Sequence, residues 1–155
     1  MNTEGLPPPE LWRKLTVTRR AMQKVRSKEL WKYGISSAEA VVFSTLMAMN
    51  GEDVTPGKIA KWSLTNPHAI SGLLKRMEKK GLVTRTRDTK HKNRLLITLT
   101  EKGEQAYEKS SQMGTIYKLI SSLSRVQRKQ LESCLDTLYD AAMNELGMEY
   151  RWLFP

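Results

Sequence analysis

Between Lys75 and Arg94 the sequence sets nine basic side chains (Lys75, Arg76, Lys79, Lys80, Arg85, Arg87, Lys90, Lys92 and Arg94) against only Glu78 and Asp88. Ammonium and guanidinium groups at that density neutralise phosphates, and an arginine or lysine can also take a guanine edge. Just upstream lie Asn66, His68 and Ser71, an amide, an imidazole and a hydroxyl suited to base edges or phosphates. Gly72 stands among them inside a helical pattern, where glycine costs roughly 1 kcal/mol relative to alanine. It is either an ordinary surface glycine or a point where another molecule's backbone comes close.

Other chemistry finds no support. Paired carboxylates, a nucleophile with its base, a phosphate-binding glycine loop and a metal cluster cannot be assembled from these residues. His68, His91 and Cys134 are too few soft ligands for structural zinc. The expectation is a binding protein rather than an enzyme, with no catalytic residues, no cofactor and no metal.

Composition agrees. The chain has 155 residues, 26 Lys and Arg against 16 Asp and Glu, and a formal charge of +10. That length fits one domain. A single cysteine excludes an intramolecular disulfide, and no window approaches the roughly 18 apolar residues of a membrane span. Met1 to Glu10, with Pro7-Pro8-Pro9, lacks the apolar core of a signal peptide, and the prolines read as extended chain. These features point to a soluble, cytoplasmic protein with a polyanionic partner. Residues 1–34 and 35–109 each carry a surplus of five positive charges, whereas 110–155 are neutral.

The elements that must position these groups are marked by capping chemistry. Leu11, Leu15, Met22 and Val25 recur at helical spacing over Leu11 to Tyr33, before Gly34. Ser36 and Glu39 form a capping box for Ala38 to Met49, which ends at Asn50-Gly51. Thr55-Pro56 and Asn66-Pro67 each place a cap before a proline at the first helical position. They open Pro56 to Trp62 and Pro67 to Lys80, a helix-turn-helix pair. After Gly81 the period changes to two, and Leu82 to Arg87 and Arg94 to Leu99 form a hairpin with a basic tip. Thr100 caps a helix expected to carry through Ile116, Leu119, Ile120 and Leu123. Ser124 and Gln127 open a last one, with Leu131, Cys134, Leu135, Leu138, Ala142 and Leu146 at core spacing.

In Pro67 to Lys80, Ile70, Leu73, Leu74 and Met77 share one face, and His68, Gly72, Lys75 and Lys79 lie opposite, flanked by Ser71 and Arg76. A recognition helix enters the major groove N-terminus first, and a basic hairpin beside it lies along phosphates or places an arginine in a narrow minor groove. The expected contacts to double-stranded DNA are therefore Thr55, Asn66, His68, Ser71, Gly72, Lys75, Arg76, Lys79, Arg85, Arg87, Lys90, Lys92 and Arg94. A winged helix that binds a protein or RNA instead is the alternative.

Three strings carry a likeness: Thr55-Pro56-Gly57-Lys58-Ile59-Ala60, Ile70 to Val83, and Leu99-Thr100-Glu101-Lys102-Gly103. With them, Ile35 to Gly103 resembles the winged-helix core of the MarR family of prokaryotic transcription regulators. The resemblance implies a mainly α fold with a small β wing. It divides the chain into an N-terminal extension and first dimerisation helix (1–34), the DNA-binding core (35–103), and C-terminal dimerisation helices and tail (104–155). It also implies a homodimeric repressor on a pseudo-palindromic operator, released by a small aromatic effector near Trp12, Trp31 and Met47. Each of those three is equally readable as plain packing. The family's wing carries Asp-x-Arg, an acid orienting a minor-groove arginine; here the arginine is Arg94 but the acid's place is taken by Lys92, with Asp88 a substitute across the tip. Cys134, without a cationic neighbour in its turn, reads as core rather than as a redox sensor. The aromatic tail Tyr150 to Phe154 is expected to dock on a partner subunit or the first helix.

Overall fold

The computed structural model describes residues 5–49, 53–89, 91 and 93–148. Its elements are α1 (Pro8–Trp31), α2 (Ser37–Ala48), α3 (Pro56–Trp62), α4 (Pro67–Lys79), β1 (Val83–Arg87), β2 (Leu95–Leu99), α5 (Glu101–Ser111), α6 (Gly114–Ile120) and α7 (Arg125–Glu145). They divide into two compact units, Met1–Thr115 and Ile116–Pro155. The mainly helical fold with one two-stranded wing is the one expected.

Local chemistry starts the helices where the sequence places them. Ser36 Oγ accepts from Glu39 N (3.2 Å) while Ser36 N donates to Glu39 Oε2 (2.8 Å). Thr55 Oγ1 accepts from Lys58 N, and Asn66 Oδ1 from His68 N, each ahead of a proline whose missing N–H costs nothing there. Pro8 and Pro9 use the same rule: they form the first turn of α1 rather than an extended leader. α4 ends in a Schellman motif, with Gly81 at φ +69°, its N–H bonded to Glu78 O, and Leu82 N bonded to Met77 O.

The first unit closes around Leu30, Val42, Phe43, Ile59, Leu74, Met77, Val83 and Ile97, all fully buried. The hairpin is antiparallel, pairing Val83 with Leu99 and Arg87 with Leu95, and its second strand gains a further partner because Ile97 N donates to Val54 O (2.8 Å). The start of α5 docks on the end of α4. Thr100 Oγ1 donates to Gly81 O (2.6 Å) and accepts from Gly103 N (3.0 Å), Thr100 N donates to Leu82 O, and Lys102 Nζ reaches Lys80 O. A Cβ on Gly103 would lie 2.0 Å from Leu82 O.

Inside this core Glu39 is buried, and Lys80 Nζ stands 2.7 Å from its Oε1. Burial pushes the carboxyl up, but bonds from Lys80 and from Ser36 N and Oγ, with the lysine charge, outweigh it and hold Glu39 below the usual carboxylate range.

Three expectations need correction. The helix opened by Thr100 does not run to Leu123: it stops at Ser111, Met113 turns to φ +47°, and α6 begins at Gly114. Side chains of α1 make the break affordable. Arg26 bonds to Ser110 O at the end of α5, and Glu29 accepts from Thr115 N (3.0 Å) and Oγ1 (2.7 Å) at the start of α6, so both loose ends find partners. Second, α1 begins at Pro8 instead of following an extended leader, and Leu11, Leu15 and Val25 stand exposed along it. Third, in the second unit α7 opens with the expected Ser124–Gln127 capping box, but Leu131, Leu135, Leu138 and Leu146 are exposed, and so is Cys134. Helical apolar spacing marks a face that wants cover; it does not say that the same chain supplies it. Asn50-Gly51 and the aromatic tail lie outside the described residues.

Gly103→Ala is expected to lower stability by roughly 1–3 kcal/mol, because the carbonyl it would strike is held by Thr100; urea unfolding measures it. Glu29 supplies an acid dependence. Burial pushes it up, but the Thr115 bonds and Arg26 bring it from 4.5 to about 2. A lowered folded-state value means that its stabilisation is complete above pH 4.5 and is lost as pH falls toward 2. The unfolding midpoint of Glu29→Gln should therefore change less over that interval than that of the unaltered chain.

Candidate nucleic-acid interface

α4 divides cleanly. Ile70, Leu73, Leu74 and Met77 are buried, and Asn66, His68, Ser71, Lys75, Arg76 and Lys79 are exposed along the other side. The buried stripe fixes the helix's rotation about its axis, so the outward face is set by core packing rather than by the polar residues themselves. α3 packs against α4, completing the helix-turn-helix. Thr55 is half-buried, its hydroxyl holding the first turn of α3, and Asn66 uses its carbonyl oxygen as a cap, which leaves its amide group outward.

Gly72 sits half-exposed on this helix, and a Cβ there would meet only Arg76 Nη1, at 3.8 Å. Packing within the chain does not require a glycine at this position.

The wing arginines separate into two kinds. Arg85 Nε bonds to Glu78 Oε2 at 2.8 Å, tying β1 to α4, and so it is engaged inside the unit. Arg87 is exposed and, with Asn93, Arg94 and Leu95, lines a groove of about 280 Å³ at the base of the tip. The tip is pinned by Asp88 N to Arg94 O (2.9 Å) and Arg94 N to His91 O (2.8 Å). Asp88, buried, places Oδ2 3.2 Å from His91 Nδ1 and 3.9 Å from Arg94 Nη1, which makes it the acid across the tip that the sequence offers in place of Lys92. A second carboxylate has no signal in the sequence: Asp53 Oδ2 lies 3.6 Å from the same Arg94 nitrogen. Lys90 and Lys92 lie outside the described residues.

A separate cavity of about 410 Å³ opens between α1, α2 and α5, lined among others by Arg26, Leu30, Ala40, Val41, Tyr107 and Met113. Trp12, Trp31 and Met47 do not line it; all three are exposed elsewhere on their helices. Among the described residues no group of three His, Cys, Asp or Glu could hold a metal ion, and no helix is long and apolar enough to cross a membrane.

Residues 33–92, which span α2, the helix-turn-helix and the first strand of the wing, match the model of the MarR family. Over this segment the chain is similar to the MarR family. The organic hydroperoxide resistance transcriptional regulator of Bacillus subtilis is 36% identical over 96 residues, covering 61% of this chain and 65% of that protein. The chain spans less than two thirds of the curated relatives it matches, 56% and 65% of their lengths. Among solved structures, the organohalide-sensing RdhR-CbdbA1625 regulator in its ligand-free form superposes with a TM-score of 0.77 at 24% identity, over 92% of this chain and 89% of that one. A mutant of MarR from E. coli complexed with operator DNA gives 0.75 at 22% identity, over 83% and 93%. The MarR fold therefore extends well beyond the segment that the family model matches.

Because space is open at Gly72, Gly72→Ala is expected to stabilise the winged helix by up to about 1 kcal/mol, read as a rise in its thermal midpoint.

Proposed function

We propose that the chain is a cytoplasmic, non-enzymatic transcription regulator that binds duplex DNA as a homodimer and represses transcription. The observation that carries this reading is the outward face of α4, where His68, Ser71, Lys75, Arg76 and Lys79 stand exposed over a stripe of four buried apolar residues. A groove-sized helix with small polar and basic side chains toward its N-terminus reads base edges, and its flanking lysines hold phosphates. Arg87 and Arg94 extend the positive surface onto the wing. A mutant of MarR from E. coli with a like fold is complexed with operator DNA, which is in keeping with a DNA partner.

The exposed leucines of α7, and Leu11 and Leu15 of α1, are surfaces that a second copy can cover. Two-fold symmetry then asks for a pseudo-palindromic operator with half-sites about one helical turn apart. The α1–α2–α5 cavity suits a small aromatic effector, with Arg26 and Tyr107 as polar anchors among apolar walls. Organohalide sensing by the RdhR-CbdbA1625 regulator is in keeping with such a use.

Footprinting on the DNA upstream of the chain's own gene should reveal one protected palindrome; an RNA- or protein-binding winged helix leaves none. Affinity should fall about 10³–10⁵-fold between 50 and 200 mM salt if six to ten phosphates are neutralised. Lys75→Ala should cost about 1–3 kcal/mol of specific binding if the lysine takes a guanine edge. Gly72→Ala, although it stabilises the fold, should weaken the complex. Gel-shift titration that finds neither variant weakened removes α4 as the reading surface.

A further inference from the structure

We propose that Asp53 is a positioning residue for Arg94, setting the direction of the wing arginine jointly with Asp88 and so strengthening duplex binding without touching the duplex. This rests on the nucleic-acid reading of the wing given above.

The geometry is built from two elements far apart in sequence. Val54 O takes the Ile97 N–H at 2.8 Å, which lays the segment before α3 alongside β2. Asp53, the preceding residue, is thereby carried toward the tip end of the hairpin, where Arg94 precedes β2. Its Oδ2 stands 3.6 Å from Arg94 Nη1, and Asp88 Oδ2 stands 3.9 Å from that same nitrogen. Arg94's main chain is fixed on both sides, by Asp88 N and His91 O, so the freedom left to settle is that of the side chain. Two carboxylates on one guanidinium nitrogen confine it.

Both separations exceed the 2.7–2.9 Å of a charge-assisted hydrogen bond. The carboxylates therefore bias the guanidinium through charge while leaving its N–H groups open to a phosphate or a base edge. The side chain is 34% exposed, enough for its end to be reached. Asp53 itself is 61% exposed, whereas Asp88 is buried and shared with His91.

The sign of the effect separates this role from bulk electrostatics. An exposed carboxylate beside a polyanion repels it, so removing the charge should tighten binding if Asp53 acts only through the field. A positioning role gives the reverse: Asp53→Asn loosens Arg94 and weakens the complex even though the protein becomes more positive.

The test is a double-mutant cycle on a duplex selected by the unaltered full-length protein from a random pool. Affinities are measured for Asp53→Asn, Asp53→Glu, Arg94→Ala and Asp53→Asn with Arg94→Ala, with unfolding midpoints to register any loss of fold. Asp53→Asn is expected to weaken binding about threefold or more at an unchanged midpoint. Asp53→Glu should retain most of the affinity, and Asp53→Asn should cost nothing further once Arg94 is alanine. Unchanged or tighter binding by Asp53→Asn, alongside weakened binding by Arg94→Ala, overturns the inference and leaves the functional reading standing. Losses that simply add in the double variant overturn it too. If Arg94→Ala binds as the unaltered chain does, the arginine makes no contact and the inference falls with the wing. A chain that selects no duplex overturns the functional reading and this inference together.

Discussion

A glycine pressed against a carbonyl organises the first unit. With hydrogen as its only side chain, Gly103 lets the first turn of α5 lie directly on Leu82 O, and Thr100, capping that turn, closes on Gly81 O and Leu82 O from the other side. Lys80, Gly81 and Leu82, the residues that end α4, thus have their carbonyls engaged by the residues that begin α5. Both ends of the hairpin leave from this junction, because Val83 follows Leu82 and Leu99 precedes Thr100. The angle between α4 and the wing is consequently set where hydrogen bonds are dense. The polar faces that follow from it inherit their direction from that contact.

What the sequence makes legible is whatever one turn of helix or one pair of strands decides. Ser36 with Glu39, Thr55-Pro56, Asn66-Pro67, Thr100 and Ser124 with Gln127 each satisfy backbone donors within three residues, so their chemistry works before any tertiary contact forms. The stripe of α4 is legible for the same reason: its four buried residues return at every turn. The short hairpin follows from a change of period between Gly81 and Thr100.

The remainder depends on partners distant along the chain. The break at Met113 is stabilised by Arg26 and Glu29, more than eighty residues upstream, and no local signal at Gln112-Met113 announces them. Arg85 looks like its neighbours in a list of cations, yet Glu78 holds it inside the unit, while Arg87 remains open. Asp53 carries no motif at all; its place beside Arg94 follows only from the bond between Val54 and Ile97. Cys134 and its leucine neighbours show a further limit, because periodicity reports that a face needs covering and is silent on which molecule covers it.

The ion pair of buried Glu39 and half-exposed Lys80 ties two helices together. Glu39 belongs at once to the capping box of α2 and to an ion pair with the residue that ends α4. Neutralising Lys80 leaves a desolvated carboxylate with Ser36 as its remaining partner, while Glu39→Gln can keep the cap on α2 but loses the charge that holds the lysine. Through this one contact, positions 39 and 80, forty-one residues apart, seat the start of α2 against the end of α4.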